Sequence, residues 1–434
     1  MIMNNLMEKL QNIMVPIGSK LAKIKFVSAI ASSMQAAMPI LIIGSFCTLF
    51  TNLDIGPWQS IIQSIPGFVS TCNKISSMTM GAFSLLVLII LTYQYSRLIE
   101  LKEDIVTVPI AVAVLFIISP VSEAGDILAN TVGMQALICT LLVGILVPLA
   151  CKWMLDHNFV IHMPETVPEF VTKGFAILIP GIICCIIAGV IDTLFSMTTF
   201  GSFQGFIYTS LQMPLSHIGL SLWGFLLINT LGSAMLWAGI HANTITGLIT
   251  PLLLAASAEN LAAWSAGTVP TNIIDFEFLC MGIPGGQAAL LLPCIMGLVM
   301  CKATQLKTIS KIGIVPAIFG IGEPIQFGFP TCFNAMMFIP MVLVTLVNGI
   351  FWYAVIAVGL VGPFSGVVLP WTTPPILNAF LASTTPMQAV IADIVMLALD
   401  FAIWYPFIRI YDKQLAAAEA GQKAEEQEVN AEII

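Results

Sequence analysis

The sequence predicts an all-α polytopic membrane protein of about ten transmembrane helices. Three observations carry that reading. Apolar residues make up 58% of the 434-residue chain and charged residues only 9%, against about half and a quarter in soluble domains. The apolar runs are ~17–25 residues long, enough for a helix to cross a bilayer and too long and uniform for the alternating strands of a membrane barrel. Lysine and arginine recur in alternate loops, the asymmetry that sets orientation in a membrane.

In chain order, residues 1–26 carry Lys9, Lys20, Lys23 and Lys25 among apolar residues at helical spacing. That pattern predicts an amphipathic helix on the cytoplasmic surface rather than a cleavable signal, because no short apolar core precedes a cleavage site. Five spans follow: Val27–Phe50, Met78–Ile99, Ile105–Val121, Val132–Leu155 and Phe175–Phe195. Asn52–Asn73, with one acid and no base, reads as an outer loop, as does the turn holding Glu123 and Asp126. Arg97 and Lys102, then Lys152 and Lys173, mark inner loops and put the N-terminus in the cytoplasm.

Hydrophobicity drops over Thr198–His217, predicting a hinge or interfacial helix between a membrane domain over 1–197 and another over 218–412. The later spans are Leu220–Gly239, Gly286–Cys301, Met336–Val358 and Met387–Ile410, with Lys302, Lys307, Lys311, Arg409 and Lys413 on the inner side. Nine spans are explicit; both termini inside requires an even number, hence ten. Residues 413–434 form an acidic cytoplasmic tail: Asp412–Glu432 carries six acids against Lys413 and Lys423, an alanine- and glutamate-rich composition expected of a solvated helix end that frays into disorder.

Charge and cysteine usage narrow the function. A net charge of −8 argues against nucleic acid as a partner. The ten cysteines sit mostly in apolar runs, such as Cys184 and Cys185, without metal-binding spacing, so they read as small buried hydrophobes. No metal and no cofactor is expected.

Three interrupted segments in the second half hold polar residues at membrane depth. Gly320–Pro330, GIGEPIQFGFP, has three glycines and two prolines around Glu323 and Gln326. Such a run cannot be one regular helix, and a carboxylate there is tolerated only inside protein or against a water-filled cavity. Leu236–Thr250, LWAGIHANTITGLIT, holds His241, Asn243 and Thr244, and Leu369–Asn378, LPWTTPPILN, holds Trp371, Thr372 and Thr373 between prolines. Broken helices gather at the substrate sites of transporters. One acid, one histidine, amides and hydroxyls match the donors and acceptors of a sugar, and Trp371 offers a platform for a sugar ring. No basic residue in these segments pairs with an anionic substrate. The duller readings are a packed-core hydrogen bond for His241 and an interfacial anchor for Trp371.

At these residues the chain resembles a family. GIHANTITG, GIGEPIQFG and PWTTPPIL, with MPILIIGSF near Met38 and YPF near Tyr405, are similar to the site motifs of phosphotransferase-system sugar permeases. The group is the enzyme II membrane component C for lactose, cellobiose and diacetylchitobiose. The resemblance implies a homodimer joined through the N-terminal half, and a C-terminal half that holds sugar between two re-entrant hairpins. It implies that His241 and Glu323 match the family's sugar-binding residues, with Glu323 near the hydroxyl that is phosphorylated. A separate cytosolic component B, charged by component A, donates the phosphoryl group from a phosphocysteine. Ala242, Gly322 and the Gly285–Ala288 string depart from the common pattern and bear on which sugar is bound.

The function expected is therefore translocation of a β-linked disaccharide across the bacterial cytoplasmic membrane. Glu323 receives the reactive hydroxyl, and His241, Asn243, Gln326, Trp371 and Thr372 complete the pocket. The competing reading is a proton-coupled sugar transporter with Glu323 and His241 as proton relay. An intramembrane glycosyltransferase would need an acidic metal pair or a basic diphosphate site, and the sequence offers neither.

Overall fold

The computed structural model describes residues 24–52, 57–121, 129–161, 167–283, 289–329 and 331–432. Most of the amphipathic segment expected over 1–26 lies outside them, as do Glu123, Asp126, His162, Gly285, Gly286, Gln287 and Pro330. The described elements are helices, with one isolated antiparallel bridge pairing Phe364 and Ser383.

Six described helices are long and apolar enough to cross a membrane: Lys25–Asn52, Phe68–Leu98, Leu137–Asp156, Val171–Ser196, Ala335–Ala357 and Pro386–Gln422. Asp104–Ile117 and Leu222–Trp237 are apolar but shorter. The span expected over 286–301 runs partly over residues that are not described; its described part contains the helix Leu291–Val299. Ile182, Ile186, Val190 and Leu194 form an exposed stripe along the Val171–Ser196 span, each at least 51% accessible. Four apolar residues one turn apart suit a lipid environment. The chain is a multi-pass membrane protein.

The chain divides into two compact units, one of Leu21–Ser221 and Gly247–Gly267, the other containing Leu222–Thr246 and Thr268–Ile434. In the first, Lys25–Asn52 packs on Phe68–Thr79 and Phe83–Leu98, and the latter packs on Leu137–Asp156. Glycines permit the close approaches: a Cβ on Gly144 would lie 2.8 Å from Leu91, and one on Gly181 would lie 2.9 Å from Ile110. The second span begins at Phe68, inside what the sequence presents as an outer loop. Residues 68–79 are too polar to read as a span, yet they are helical and pack on Lys25–Asn52, with Thr48 and Ser76 hydroxyls 2.7 Å apart.

The polar stretch 198–217 is helical from Phe203 onward. Ser202 caps Phe203–Ile207 by accepting from the Gly205 N–H at 3.0 Å, and a π-helical turn, Tyr208–Gln212, leads into Met213–Gly219. The helix Thr250–Ser265, which hydropathy does not reveal, belongs to the first unit although its sequence lies within the expected C-terminal domain. Pro251 sits in its first turn, where a missing N–H costs nothing, and Leu253 and Leu254 are fully buried.

In the second unit, Leu222–Trp237 packs on Ala335–Ala357, which packs on the helix Pro386–Glu432. Ser233 and Thr345 share a hydroxyl hydrogen bond of 2.6 Å. Gly349 lets Leu226 approach to 2.5 Å of where a Cβ would stand. Residues 361–369 run extended and almost wholly buried, then return through the helix Pro375–Ala382. Gly362, Pro363, Gly366 and Pro370 forbid a helix here, so the buried amides find other partners. Ser365 N–H donates to Ala382 O at 2.7 Å and Thr384 N–H to Pro363 O at 3.1 Å.

The acidic tail is helical, as expected of a helix end, but its first turns are packed rather than solvated. Pro386–Glu432 is one helix, and past residue 410 it packs Tyr411, Leu415 and Ala416 on the core. Asp412 Oδ1 accepts from Lys302 N–H at 2.7 Å and Ala303 N–H at 2.8 Å, and Glu419 accepts from Thr304 and Gln305 N–H at 2.8 and 2.9 Å. These acids are caps for another helix, a role that local composition cannot reveal.

Candidate functional site

Two of the three interrupted segments begin in the same way. The helix Leu222–Trp237 closes with Ile240 N–H on Met235 O at 2.9 Å and Gly239 N–H on Leu236 O at 3.0 Å. The helix Thr304–Ile318 closes with Ile321 N–H on Pro316 O at 3.0 Å and Gly320 N–H on Ala317 O at 3.2 Å. In both, the glycine is left-handed, φ 76° at Gly239 and 78° at Gly320. This is the paired-bond helix stop that glycine permits. His241 follows the first stop by two residues and Glu323 the second by three.

His241 is exposed, and its Nδ1 accepts from the Asn243 N–H at 3.2 Å. A neutral ring accepting at Nδ1 carries its proton on Nε2, so this imidazole presents Nε2 as a donor. Asn243 is exposed as well, and its Oδ1 accepts from Thr246 Oγ1 at 3.4 Å, which orients the amide. Glu323 opens the six-residue helix Glu323–Gly328, whose second residue is Pro324. That helix lies on Thr304–Ile318: Ile325 fills the space left by Gly313, and Ile309 the space left by Gly328.

The His241 and Glu323 segments are stitched together. Gln326 Nε2 donates to Leu236 O at 3.1 Å, Phe333 N–H donates to Trp237 O at 3.0 Å, and Trp237 Nε1 donates to Asn334 O at 2.8 Å. The Phe333 bond caps the Trp237 carbonyl, which the end of Leu222–Trp237 leaves open, and the Gln326 bond takes the second lone pair of Leu236 O. Gln326 is 3% exposed, and its amide joins the two segments.

The third segment meets the second at Gly320, where a Cβ would stand 2.9 Å from the Trp371 carbonyl oxygen. Thr373 N–H donates to Pro370 O at 2.8 Å, closing a turn around Trp371 and Thr372. Trp371 is 51% exposed, so much of its ring remains accessible, and Thr372 is half-buried. Gly320→Ala is expected to keep the protein folded but weaken sugar binding about tenfold or more. A left-handed alanine costs about 1–2 kcal/mol, and its methyl drives the Trp371 loop away. Titration with cellobiose alongside thermal unfolding checks this; unchanged binding would show that the Gly320–Trp371 contact is idle.

Four acids absent from the expected site are wholly buried in this unit: Asp275, Glu277, Asp393 and Asp400. Asp275 caps Phe276–Met281, accepting from Phe278 N–H at 3.0 Å. Asn348 Nδ2 donates to Asp400 Oδ2 and to Gly282 O, both at 3.1 Å. Asp393 and Asp400 are visible in the sequence as acids two helical turns apart within one span. Asp275 and Glu277 give no such signal, because they stand between spans.

The family described as Phosphotransferase system, EIIC matches residues 31–345. The cellobiose-specific EIIC component of Geobacillus stearothermophilus is 30% identical, over 96% of this chain and 96% of its own. The oligo-beta-mannoside-specific EIIC component of Bacillus subtilis (strain 168) is 28% identical, over 96% and 97%. The crystal structure of the transporter ChbC, the IIC component of the N,N'-diacetylchitobiose-specific phosphotransferase system, matches with a TM-score of 0.91 at 30% identity, over 95% of this chain and 99% of that one.

Proposed function

The chain belongs to the EIIC family of the phosphotransferase system, and from that premise we propose that it translocates a β-linked disaccharide of the cellobiose or diacetylchitobiose type. The sugar binds among His241, Asn243, Glu323, Trp371 and Thr372. Gln326 serves the same site by holding its two segments together. Glu323 accepts a hydrogen bond from the reactive hydroxyl and takes its proton as the hydroxyl attacks. The new bond joins the sugar oxygen to phosphorus, and the bond to the phosphocysteine sulfur of a cytosolic component B breaks, leaving a thiolate. Component A recharges component B. His241 Nε2 and the Asn243 amide orient the remaining hydroxyls, and Trp371 carries a ring face. The product is held inside because a dianionic sugar phosphate finds no basic partner in this site.

We assign the translocating role to the C-terminal part of the chain and the contact of a homodimer to the N-terminal part, in the bacterial cytoplasmic membrane with both termini cytoplasmic. The observation that supports the site is the set of bonds joining Leu236 and Trp237 to Gln326 and Phe333, which ties the His241 loop to the Glu323 loop. Their side chains supply a single carboxylate among uncharged polar groups.

Uptake by reconstituted vesicles tests the function. With components A and B and phosphoenolpyruvate inside, cellobiose should accumulate as cellobiose phosphate, insensitive to an uncoupler. Accumulation of unmodified sugar that collapses with the uncoupler would instead establish proton coupling.

A further inference from the structure

The loop Pro370–Pro375 carries Trp371 and Thr372, and on the reading above it forms one wall of the sugar site. Short loops hold a ligand only as well as their two ends are fixed. The structure fixes both ends on one side chain outside the loop. Leu369 N–H, two residues before Trp371, donates to Glu277 Oε1 at 2.8 Å. Asn378, three residues after Pro375, has its amide against the same carboxyl group.

Hydrogen-bond accounting makes the second contact specific. Glu277 Oε2 and Asn378 Oδ1 are both buried acceptors with no hydrogen-bond partner. Asn378 acts on this carboxyl as a side-chain donor, favouring the carboxylate over the acid, and an unpaired buried polar atom costs free energy. An Asn378 N–H donated to Oε2 satisfies the carboxyl without a proton of its own. Glu277 then holds two bonds, accepting both from the chain that enters the loop and from the helix that leaves it. Its own backbone is anchored at each end: Asp275 caps the helix Phe276–Met281, and Asn348 holds the Gly282 carbonyl just beyond. Glu277 is wholly buried, so water cannot substitute for either bond.

We propose that Glu277 is a positioning residue of the sugar site, holding both feet of the loop that presents Trp371 and Thr372. It touches no substrate. The proposal rests on the sugar-site reading only for its functional consequence; the brace itself is a property of the chain without ligand.

The test compares the purified full-length protein with its E277Q, E277M and N378L variants. Glutamine keeps an acceptor for Leu369, and its N–H pairs with the Asn378 amide oxygen once that amide turns over. Methionine keeps the volume and loses both bonds. Two readouts are taken: hydrogen exchange of peptides covering residues 364–378 without sugar, and binding of cellobiose and diacetylchitobiose. E277Q is expected to match the parent protein in exchange and to bind within about twofold. E277M should lose protection at the Leu369 amide and bind about tenfold more weakly, the scale of one unsatisfied buried amide, with KM raised and kcat unchanged. Where E277M does not fold, N378L, which cuts one foot, should show loosened exchange at the loop's C-terminal side and weakened binding. Parent-like exchange in E277M or N378L, or failure of E277Q to rescue, would overturn the brace. If the parent protein binds neither sugar, the substrate assignment fails, while the exchange result still decides on Glu277.

Discussion

Glu323→Gln is expected to abolish phosphorylation of the transported sugar while leaving the protein folded and sugar binding only about tenfold weaker. The substitution keeps shape and one acceptor oxygen, so the hydroxyl still finds a hydrogen bond. That bond loses its charge and with it about half its strength. What disappears is the proton acceptor. General base catalysis contributes about 10²–10⁴ in rate, so sugar phosphate formation with components A and B should fall at least a hundredfold. The backbone argues against collapse on substitution: Ile325 and Gln326 N–H both reach the Gly322 carbonyl, at 3.0 and 2.9 Å, independently of the side chain at 323. Full binding and full phosphorylation by the variant would remove Glu323 from the chemistry.

The largest effect on stability is expected from Asp412→Ala. The chain enters the helix Thr304–Ile318 through Lys302 and its cap Ala303, and the N–H groups of Lys302, Ala303, Thr304 and Gln305 have no helical carbonyl to reach. Ala303, at the cap position, has no side-chain acceptor. The helix Pro386–Glu432 supplies both caps from a distance, Asp412 taking the first two donors and Glu419 the next two. The two acids are seven residues apart, two turns on one face. Asp412 is 3% exposed, so its removal leaves the Ala303 N–H buried without an acceptor and the Lys302 N–H only partly open to water. Two charge-assisted bonds of about 1.5–3 kcal/mol each put the loss at about 3–6 kcal/mol. Glu419→Ala, at a wetter position, should cost about 1 kcal/mol, like an ordinary cap. Thermal or denaturant unfolding in detergent measures both, and equal, small effects would show that the caps contribute little. The site should respond too, because Thr304–Ile318 runs directly into Gly320 and Glu323.

Membrane class and the interrupted segments were legible because they depend on composition and on residues with strong local preferences. Glycine and proline announce where Leu222–Trp237 and Thr304–Ile318 stop, so the positions of His241 and Glu323 just past those stops follow from short strings. Elements stabilised by distant partners were not legible. Residues 68–79 are too polar to read as part of a span, and become helical by packing on Lys25–Asn52. Thr250–Ser265 carries Ser257, Glu259 and Asn260 and is too short to cross a membrane, so hydropathy passes over it. The tail read as solvated because six acids say nothing about four amides more than a hundred residues earlier. Gln326 and Glu277 illustrate the same limit within the site. One is an amide that suits a sugar yet ties two loops; the other is an acid between spans that reaches Leu369, 92 positions later.

The placement of Gly247–Gly267 has a consequence for biosynthesis. When residue 221 leaves the ribosome, the first unit still lacks the helix Thr250–Ser265, which packs against Lys25–Asn52 and Leu137–Asp156. At about 5–20 residues per second, the nascent chain needs a few more seconds to deliver it. During that interval Leu222–Thr246 is already synthesised but its partners beyond Thr268 are not. Neither unit can finish before the other has begun, so folding at the translocon must be interleaved. Cutting the gene at residue 221 would leave the first unit without Gly247–Gly267, which the second fragment would carry.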